Sequence, residues 1–263
     1  MSSEDLFDPL VDIIPIHWCL DNYSYILQTT NFLKAFFNTF IYALLVAVLT
    51  TVSTSMIGYG FSKFKFKGVK LLTLIVIVSM MMPLQTLSIP IYLNFRFFDI
   101  LDILKLFGFK QINLLDTVAP TTIMSITGFG FRAGIFIILM RQYFNGVPNE
   151  VLEAAYVDGA GPYRTFISII IPMAKSMLVV VFALSFAWQW TDTFYSSLLY
   201  GNVELLPNLV SLLSQVTLEN ASYYLDYVRA DTAAIMAISP LILFYCFLQK
   251  QIIQGIERSG LVG

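Results

Sequence analysis

The chain has 263 residues, of which 57% are hydrophobic and only 12% are charged. A soluble domain of this length carries about twice that charged fraction, so the composition excludes an ordinary soluble protein and indicates a chain that crosses a membrane several times. The net charge of −2 favours no class of partner. One histidine, His17, and two distant cysteines, Cys19 and Cys246, supply neither a metal cluster nor a Ser-His-Asp triad.

Residues 1–32 form a polar arm with five acidic residues and neither lysine nor arginine. The arm has no basic start and no long apolar core, so it does not look like a signal peptide. No residue from Ala35 to Ser62 is charged, which is ample for a first span of about 20 residues, placed at about 35–60. The hydroxyl-rich stretch 50–55 predicts close helix packing inside a bundle.

Four further apolar intervals predict spans at about 71–95, 117–140, 175–200 and 232–249. Pro83 and Pro90 interrupt the second interval, where a missing backbone N–H kinks a helix. Glycines and Arg132 lie inside the third, and Pro240 lies inside the fifth. We therefore predict an all-α, polytopic membrane helical bundle with five spans. Its transmembrane domain covers 33–250 and its tail covers 251–263.

The sidedness follows from the basic residues, because short cytoplasmic loops are enriched in lysine and arginine. Four lysines lie within 63–70, which places that loop in the cytoplasm. Alternation then puts the amphipathic connector 96–116 and the polar loop 201–230 outside. The same alternation puts loop 145–172 and the C-terminus inside and leaves the N-terminal arm outside.

The stretch from Pro148 to Pro172 is an island of charge and glycine between two apolar runs. We expect Asn149 to cap a short helix whose first turns carry Glu150 and Glu153, since acidic groups suit the positive end of a helix dipole. Gly159, Gly161 and Pro162 then end that helix and turn the chain. Such a helix lies across the membrane face, where it can touch a soluble partner.

The spacing of this stretch is specific. Glu153-Ala154-Ala155, then Gly159 after three residues, then Ile171-Pro172, resembles the EAA signature of the membrane subunits of bacterial ABC importers, with isoleucine for the usual leucine. The alternative interpretation is an ordinary amphipathic connector. The resemblance implies a coupling helix that docks into a groove of a separate ATPase. The implied ATPase-coupling residues are Glu150, Glu153, Ala154, Ala155, Asp158, Gly159 and Pro172.

Other strings are similar to the sugar-type permeases related to the maltose system. The run 135–144 resembles their FLLRQFF segment, 155–160 resembles AARIDGA, 82–83 matches a Met-Pro position, and 190–192 resembles WND with Thr191 for asparagine. Members usually have six spans, so the resemblance implies that a first helix is missing here. Either Met1 is a misassigned or internal start, which we favour, or a peripheral span has been lost.

The resemblance also implies the partners. This chain would be one of two non-identical permease subunits in a bacterial plasma membrane, with a cytoplasmic C-terminus. Two ATPase subunits would bind ATP and Mg²⁺, so this chain would hold no cofactor itself. An extracellular solute-binding protein would deliver a sugar, and no nucleic acid would be involved.

Five residues are candidates for the substrate path: Gln85, Arg132, Trp188, Trp190 and Asp192. An unpaired arginine is costly inside a membrane, so Arg132 should face a polar interior or pair within the bundle. The tryptophans suit the apolar faces of sugar rings, but an interfacial aromatic belt is the better explanation at this depth. Gln85 suits either a substrate hydroxyl or a carbonyl freed by the Pro83 kink. Asp192 falls near the outer interface, where an acid needs no special role.

No glycine in the chain is directly followed by lysine, so a phosphate-binding loop is absent and the energy must come from a partner. The sequence predicts a transport component and not an enzyme. The alternatives are an ABC permease for a non-sugar solute and an ion-coupled secondary transporter. The second is disfavoured, because such transporters carry mid-membrane carboxylates and repeated halves.

Overall fold

The computed structural model describes residues 5, 16–99, 108, 110–130, 132–214 and 223–260. These residues form helices and no strand, apart from an isolated bridge between Phe98 and Ile112. The all-α prediction is therefore confirmed. In chain order the helices are α1 Asp21–Thr29, α2 Phe32–Lys63, α3 Val69–Met80, α4 Leu84–Arg96, α5 Ala119–Ile126, α6 Ala133–Asn145, α7 Asn149–Val157, α8 Pro162–Thr165, a π-helical turn Phe166–Ile170, α9 Ile171–Met173, α10 Lys175–Trp190, α11 Phe194–Leu199, α12 Leu206–Ser214 and α13 Tyr223–Gly260.

The chain divides into two compact units. One contains Met1–Ile41 and Trp190–Phe244, and the other contains Tyr42–Gln189 and Tyr245–Gly263. Helices α2, α10 and α13 each contribute residues to both units.

Helix α2 is the first predicted span, and its 32 residues make it about 48 Å long. Its hydroxyl-rich stretch packs closely, as predicted. Ser53 donates its hydroxyl hydrogen to the carbonyl oxygen of Ser125 over 2.6 Å. At Gly58 an added Cβ would lie 2.7 Å from the Cβ of Met140, so α2 and α6 touch through backbone at that point.

The second predicted span is broken. Helices α3 and α4 meet at an angle of 104° around Pro83, whose ψ of 130° is extended. A proline disfavours helical backbone in the residue before it, which explains a break at that position. Pro90 lies inside α4 without interrupting it. The predicted kink is therefore confirmed at Pro83 alone.

The third predicted span, 117–140, is also not one helix. Helix α5 ends at Ile126 and α6 begins at Ala133, with Gly128 and Arg132 in the left-handed region at φ 76° and 56°. A residue in the left-handed conformation ends an α-helix, because the backbone can no longer continue the helical pattern of hydrogen bonds. Arg132 thus occupies a break between helices and does not lie inside one.

Helix α13 extends well beyond the predicted fifth span, 232–249. Residues 223–230, expected in the polar loop, and residues 251–260, expected in the tail, are helical. Asp226 and Arg229 pair three residues apart over 3.3 Å, a spacing that suits a helix surface. An apolar run shows where hydrocarbon can lie and does not show where a helix ends, so the span 232–249 stays a prediction within this longer helix.

By length and composition, two described helices can cross a membrane: α2, and the 31 residues Leu225–Gly255 of α13. The number rises to four if each of two bent pairs is one crossing. These pairs are α3 with α4, and Pro162–Met173 with α10. The count of five spans stays a prediction.

Candidate functional site

Helix α7 has an inner and an outer face. Leu152 and Ala155, three residues apart, are 8% and 3% exposed, so they form the inner face. The outer face is acidic, with Glu150 and Glu153 exposed to solvent. Ala154 also lies outward, whereas Ala155 packs into the chain. Of the two alanines among the implied ATPase-coupling residues, the exposed one is therefore Ala154.

Exposed apolar side chains border the acidic face of α7. Val157 is 87% exposed and Tyr163 is 80% exposed, and Tyr156 lies between the acidic residues and this border. A monomer gains nothing by leaving such residues in water, and an apolar patch edged by charge is typical of a protein interaction site. We name this set the α7 surface; it consists of Glu150, Glu153, Ala154, Tyr156, Val157, Asp158 and Tyr163.

The start of α7 differs from the prediction. The residue before the helix is Pro148, with an extended backbone, and Asn149 is the first helical residue. A capping side chain must come from a residue outside helical geometry, so the expected cap by Asn149 is wrong. Its side-chain oxygen instead accepts a hydrogen bond from Nζ of Lys63 over 3.1 Å.

Helix α7 ends as the sequence predicts, at a glycine turn. Gly159 has φ 79°. The N–H of Gly159 donates to the carbonyl of Tyr156 over 3.1 Å, and that of Ala160 donates to the carbonyl of Ala155 over 2.9 Å. This pair of bonds is a Schellman motif, in which glycine is the residue that adopts the left-handed backbone without strain.

Lys63, at the end of α2, ties the two predicted cytoplasmic loops together. Its ammonium group donates to the carbonyl oxygen of Val147 over 2.6 Å as well as to Asn149. The neighbouring Ser62 donates to the side-chain oxygen of Asn145 over 2.7 Å. The lysine loop and the α7 segment therefore lie at the same end of their unit. The four lysines of the sequence predict a cytoplasmic loop at 63–70, but they do not predict the contact of Lys63 with the α7 segment.

The inner face of α7 joins a core that also includes α2, α6 and α10. Leu152 belongs to a buried cluster with Tyr59, Phe144, Ile170 and Met177. The ring of Tyr59 lies 5.5 Å from that of Phe144, measured between centroids. A displacement of α7 therefore acts on the long helices through close-packed side chains.

The chain from α8 to α10 turns sharply. Pro162–Met173 and α10 meet at 79° around Ala174, two residues after Pro172. The carbonyl oxygen of Met173 at this break accepts a hydrogen bond from the hydroxyl of Tyr143 over 2.6 Å. Pro172 is exposed and lines an open apolar cavity of about 430 Å³. Pro172 is therefore at a helix bend and not on the α7 surface.

Two of the substrate-path candidates are brought together. The guanidinium of Arg132 lies over the ring of Trp188, 4.4 Å from its centroid, and Trp188 also packs against Phe136 at 5.2 Å. Gln85 is an exposed residue in the first turn of α4, directly after the Pro83 break.

Trp190 and Asp192, the remaining candidates, hold helices in the other unit. Trp190 is 2% exposed, and its indole N–H donates to the carbonyl oxygen of Ala237 over 2.9 Å. Asp192 is 5% exposed, and its carboxylate accepts the backbone N–H groups of Phe194 and Tyr195 over 3.2 and 3.1 Å. Asp192 therefore binds the first two backbone N–H groups of α11, a role that its predicted place at an outer interface did not suggest.

A polar contact that the sequence did not predict fastens the loop after α11 to the start of α2. Glu204 accepts hydrogen bonds from Asn31 over 2.6 Å and from Lys34 over 3.1 Å, and its backbone oxygen accepts one from Asn38. The bonds from Asn31 and Lys34 hold the pKa of the Glu204 carboxyl below its usual range. Residues 173 positions apart in sequence are joined here, and no local pattern predicts such a pairing.

Comparisons with known proteins identify the family. The family model described as "Binding-protein-dependent transport system inner membrane component" matches residues 54–258. The chain is 26% identical to the arabinooligosaccharide transport system permease of Bacillus subtilis, over 96% of this chain and 82% of that one. It is 29% identical to the maltodextrin transport system permease of the same organism, over 94% and 81%.

A solved structure has the same fold. A crystal structure of a bacterial ABC transporter involved in import of the acidic polysaccharide alginate matches 90% of this chain and 81% of its own, with a TM-score of 0.69 and 24% identity. The chain belongs to the family of binding-protein-dependent transport system inner membrane components, and it is a membrane permease component of an ABC importer and not an enzyme.

Proposed function

We propose that this chain forms half of the translocation channel of an importer for a carbohydrate, and that the α7 surface couples it to a separate ATPase. The sugar assignment is supported by the relatives, whose names specify arabinooligosaccharides and maltodextrin. The coupling assignment is carried by one observation. An acidic helix with exposed apolar residues at its border is held rigidly, by a Schellman motif at one end and Lys63 at the other.

The partners of the chain follow from its family: a second permease subunit, ATPase subunits and a solute-binding protein. For the ATPase contact we propose Glu150, Glu153, Ala154 and Asp158, which are exposed. Gly159 would act by shaping the turn, and Ala155 and Pro172 by packing and bending behind the surface. ATP and Mg²⁺ would bind to the ATPase subunits.

The coupling mechanism depends on the inner face of α7. When two ATPase subunits close on ATP, the grooves that hold the coupling helices approach each other. Leu152 then presses on the cluster that includes Tyr59 and Phe144, and the spans reorient. The partner can drive this change only to the extent that it binds one conformation better than the other.

We propose that the α7 end of the bundle lies in the cytoplasm, together with the C-terminus. The lysine-rich loop 63–70 supports this side. Near the end of α13, an added Cβ at Gly255 would lie 2.8 Å from the carbonyl oxygen of Ser176, so α13 approaches the start of α10 there. The bonds from Lys63 to Val147 and Asn149 place the start of the lysine loop beside α7, and the approach of Gly255 places α13 beside the start of the helix that follows this segment.

For the substrate path, we retain Gln85, Arg132 and Trp188 as candidates. Arg132 is exposed, and Trp188 offers an aromatic ring beside it, a pairing suited to a hydroxylated ligand with apolar ring faces. Trp190 and Asp192 would act on the path indirectly, through the helices they hold.

The coupling proposal is tested by cysteine protection. In a chain with Cys19→Ser and Cys246→Ser, Ala154→Cys should react with a water-soluble maleimide in the isolated permease pair and be protected once the ATPase is bound. Gly201→Cys, on an exposed turn, is the matched control and should react in both states. Equal labelling of Ala154→Cys with and without the ATPase would contradict the coupling assignment.

The substrate proposal is tested by uptake. The complete transporter, with its binding protein, is reconstituted in vesicles and offered a panel of oligosaccharides together with amino acids and peptides. ATP-dependent accumulation of a saccharide is the expected result. Accumulation of a peptide or amino acid alone would overturn the carbohydrate assignment and leave the coupling assignment untouched.

A further inference from the structure

Helix α1 is amphipathic, but it turns most of its apolar stripe away from the protein. At about 100° per residue, positions 20, 23 and 27 fall on one side of a helix. Leu20, Tyr23 and Leu27 occupy these positions and are 74%, 38% and 45% exposed. Ile26 is the residue of this helix that is buried, at 1% exposed. The outward stripe carries no charge.

Contacts on the opposite side fix this orientation. The guanidinium of Arg229 lies 3.7 Å from the centroid of the Tyr25 ring, and the same guanidinium donates to Asp226 over 3.3 Å. This contact holds α1 against the start of α13, and the burial of Ile26 shows that the same side of α1 faces the protein. Rotating α1 to bury Leu27 would break the cation–π contact and expose Ile26, so the outward stripe is a fixed feature of the fold.

The position of α1 in the chain indicates what covers the stripe. Two residues, Thr30 and Asn31, separate α1 from the membrane-spanning helix α2. The first exposed apolar residues of α2, Leu33 at 61% and Phe37 at 59%, lie four residues apart on one face. Trp18, 82% exposed, precedes α1. Tryptophan and tyrosine prefer the headgroup level of a bilayer, at the ends of spans.

We propose that α1 is a membrane-surface anchor that lies in the bilayer interface at the start of α2, with Trp18, Leu20, Tyr23 and Leu27 in the lipid. An amphipathic helix of this kind buries its apolar face at the boundary between headgroups and acyl chains. Residues 1–33 contain five acidic residues and neither lysine nor arginine. The anchor therefore binds by apolar and aromatic contact, without attraction to anionic lipid. This proposal rests on the family's place in the membrane and not on the substrate.

Spin labels on adjacent residues test the anchor. The complete transporter is reconstituted in phosphatidylcholine vesicles, with Cys19→Ser and Cys246→Ser removing the two free cysteines. Leu27→Cys places a label on the outward stripe, and Gln28→Cys places its matched control on the polar side. We expect the label at 27 to collide more often with oxygen, which concentrates in lipid, and the label at 28 with a water-soluble nickel chelate.

Two other results would overturn the anchor. If both labels collide freely with the nickel chelate, the stripe faces water. If the label at 27 is shielded from both reagents, another protein covers it. A third measurement tests whether anionic lipid contributes to binding. Adding phosphatidylglycerol to the vesicles should not increase the depth of the label at 27 in the bilayer. Immersion that requires the anionic lipid would contradict an anchor that carries no basic residue.

Discussion

The guanidinium of Arg132 stacks over the indole of Trp188, 4.4 Å from the ring centroid, and joins the break between α5 and α6 to α10. Arg132 has φ 56°, a left-handed backbone that costs a residue with a side chain about 1–2 kcal/mol. A cation over a tryptophan ring contributes about 0.5–2 kcal/mol, so the contact offsets much of that strain.

Two substitutions separate these effects at position 132. Arg132→Ala loses the cation–π contact and keeps the backbone strain, whereas Arg132→Gly loses the contact and relieves the strain. We expect Arg132→Ala to lower thermal stability more than Arg132→Gly, by about 1 kcal/mol of unfolding free energy. Thermal unfolding in detergent measures the difference. If the alanine variant is at least as stable as the glycine variant, the left-handed backbone at position 132 is not strained.

Gly159 and Gly161 form a matched pair for testing the turn after α7. Gly159 has φ 79°, whereas Gly161 has φ −71°, and neither has an atom within 4 Å of an added Cβ. Gly159→Ala should therefore cost about 1 kcal/mol through backbone strain alone, and Gly161→Ala should be close to neutral. Gly159→Val should also reduce transport. ATP-dependent uptake measures transport, and thermal unfolding measures stability. Equal effects of the alanine substitutions at the two positions would rule out backbone strain at Gly159 as the cause.

Charge reversal at Glu153 tests the α7 surface. Glu153→Lys should reduce uptake by tenfold or more, since even about 1.4 kcal/mol of lost binding corresponds to a factor of ten. Membrane insertion and thermal stability should stay unchanged, because the side chain is exposed. Glu153→Gln, which removes the charge without reversing it, should give an intermediate rate. Undiminished uptake by Glu153→Lys would count against the ATPase-coupling proposal.

The contact of Glu204 with Asn31 and Lys34 should depend on pH. Its pKa is held below the ordinary value by these hydrogen bonds, so the folded state favours the carboxylate. The stabilising contribution is complete above the ordinary pKa of about 4.5 and is lost as the pH falls through the lowered folded-state pKa. Glu204→Gln should therefore melt below the wild type near neutral pH, and the difference should vanish in acid. A difference that persists in acid would exclude the carboxylate as its source.

The proline in α13 leaves a carbonyl without its helical donor, and a side chain supplies a replacement. Pro240 has no N–H for the carbonyl of Met236, which accepts the hydroxyl hydrogen of Ser239 over 3.1 Å. Such substitutes are what make proline tolerable in a membrane helix.

A double-mutant cycle measures this compensation. Ser239→Ala removes the hydroxyl that serves the carbonyl of Met236, and should cost about 1 kcal/mol of stability. In a Pro240→Ala background the backbone N–H is restored to that carbonyl, so the same substitution should cost less. Thermal unfolding of the four variants gives the coupling. Additive effects would show that the Ser239 hydroxyl bond is independent of the proline.

The sequence by itself determined the fold class, the family and the turn at Gly159. Each of these rests on a local or periodic property: a long uncharged run fits hydrocarbon, and a glycine followed by proline ends a helix. The motif around Glu153 also located a helix between spans, because acidic residues and small residues at fixed spacing occur together there.

Tertiary structure decided what each side chain faces. Ala154 and Ala155 are identical in sequence terms, yet one is exposed and the other is buried. The pairing of Glu204 with Asn31, and of Trp190 with Ala237, joins residues far apart in the chain. Such contacts depend on how helices pack, and packing is a property of the whole chain that no local pattern contains.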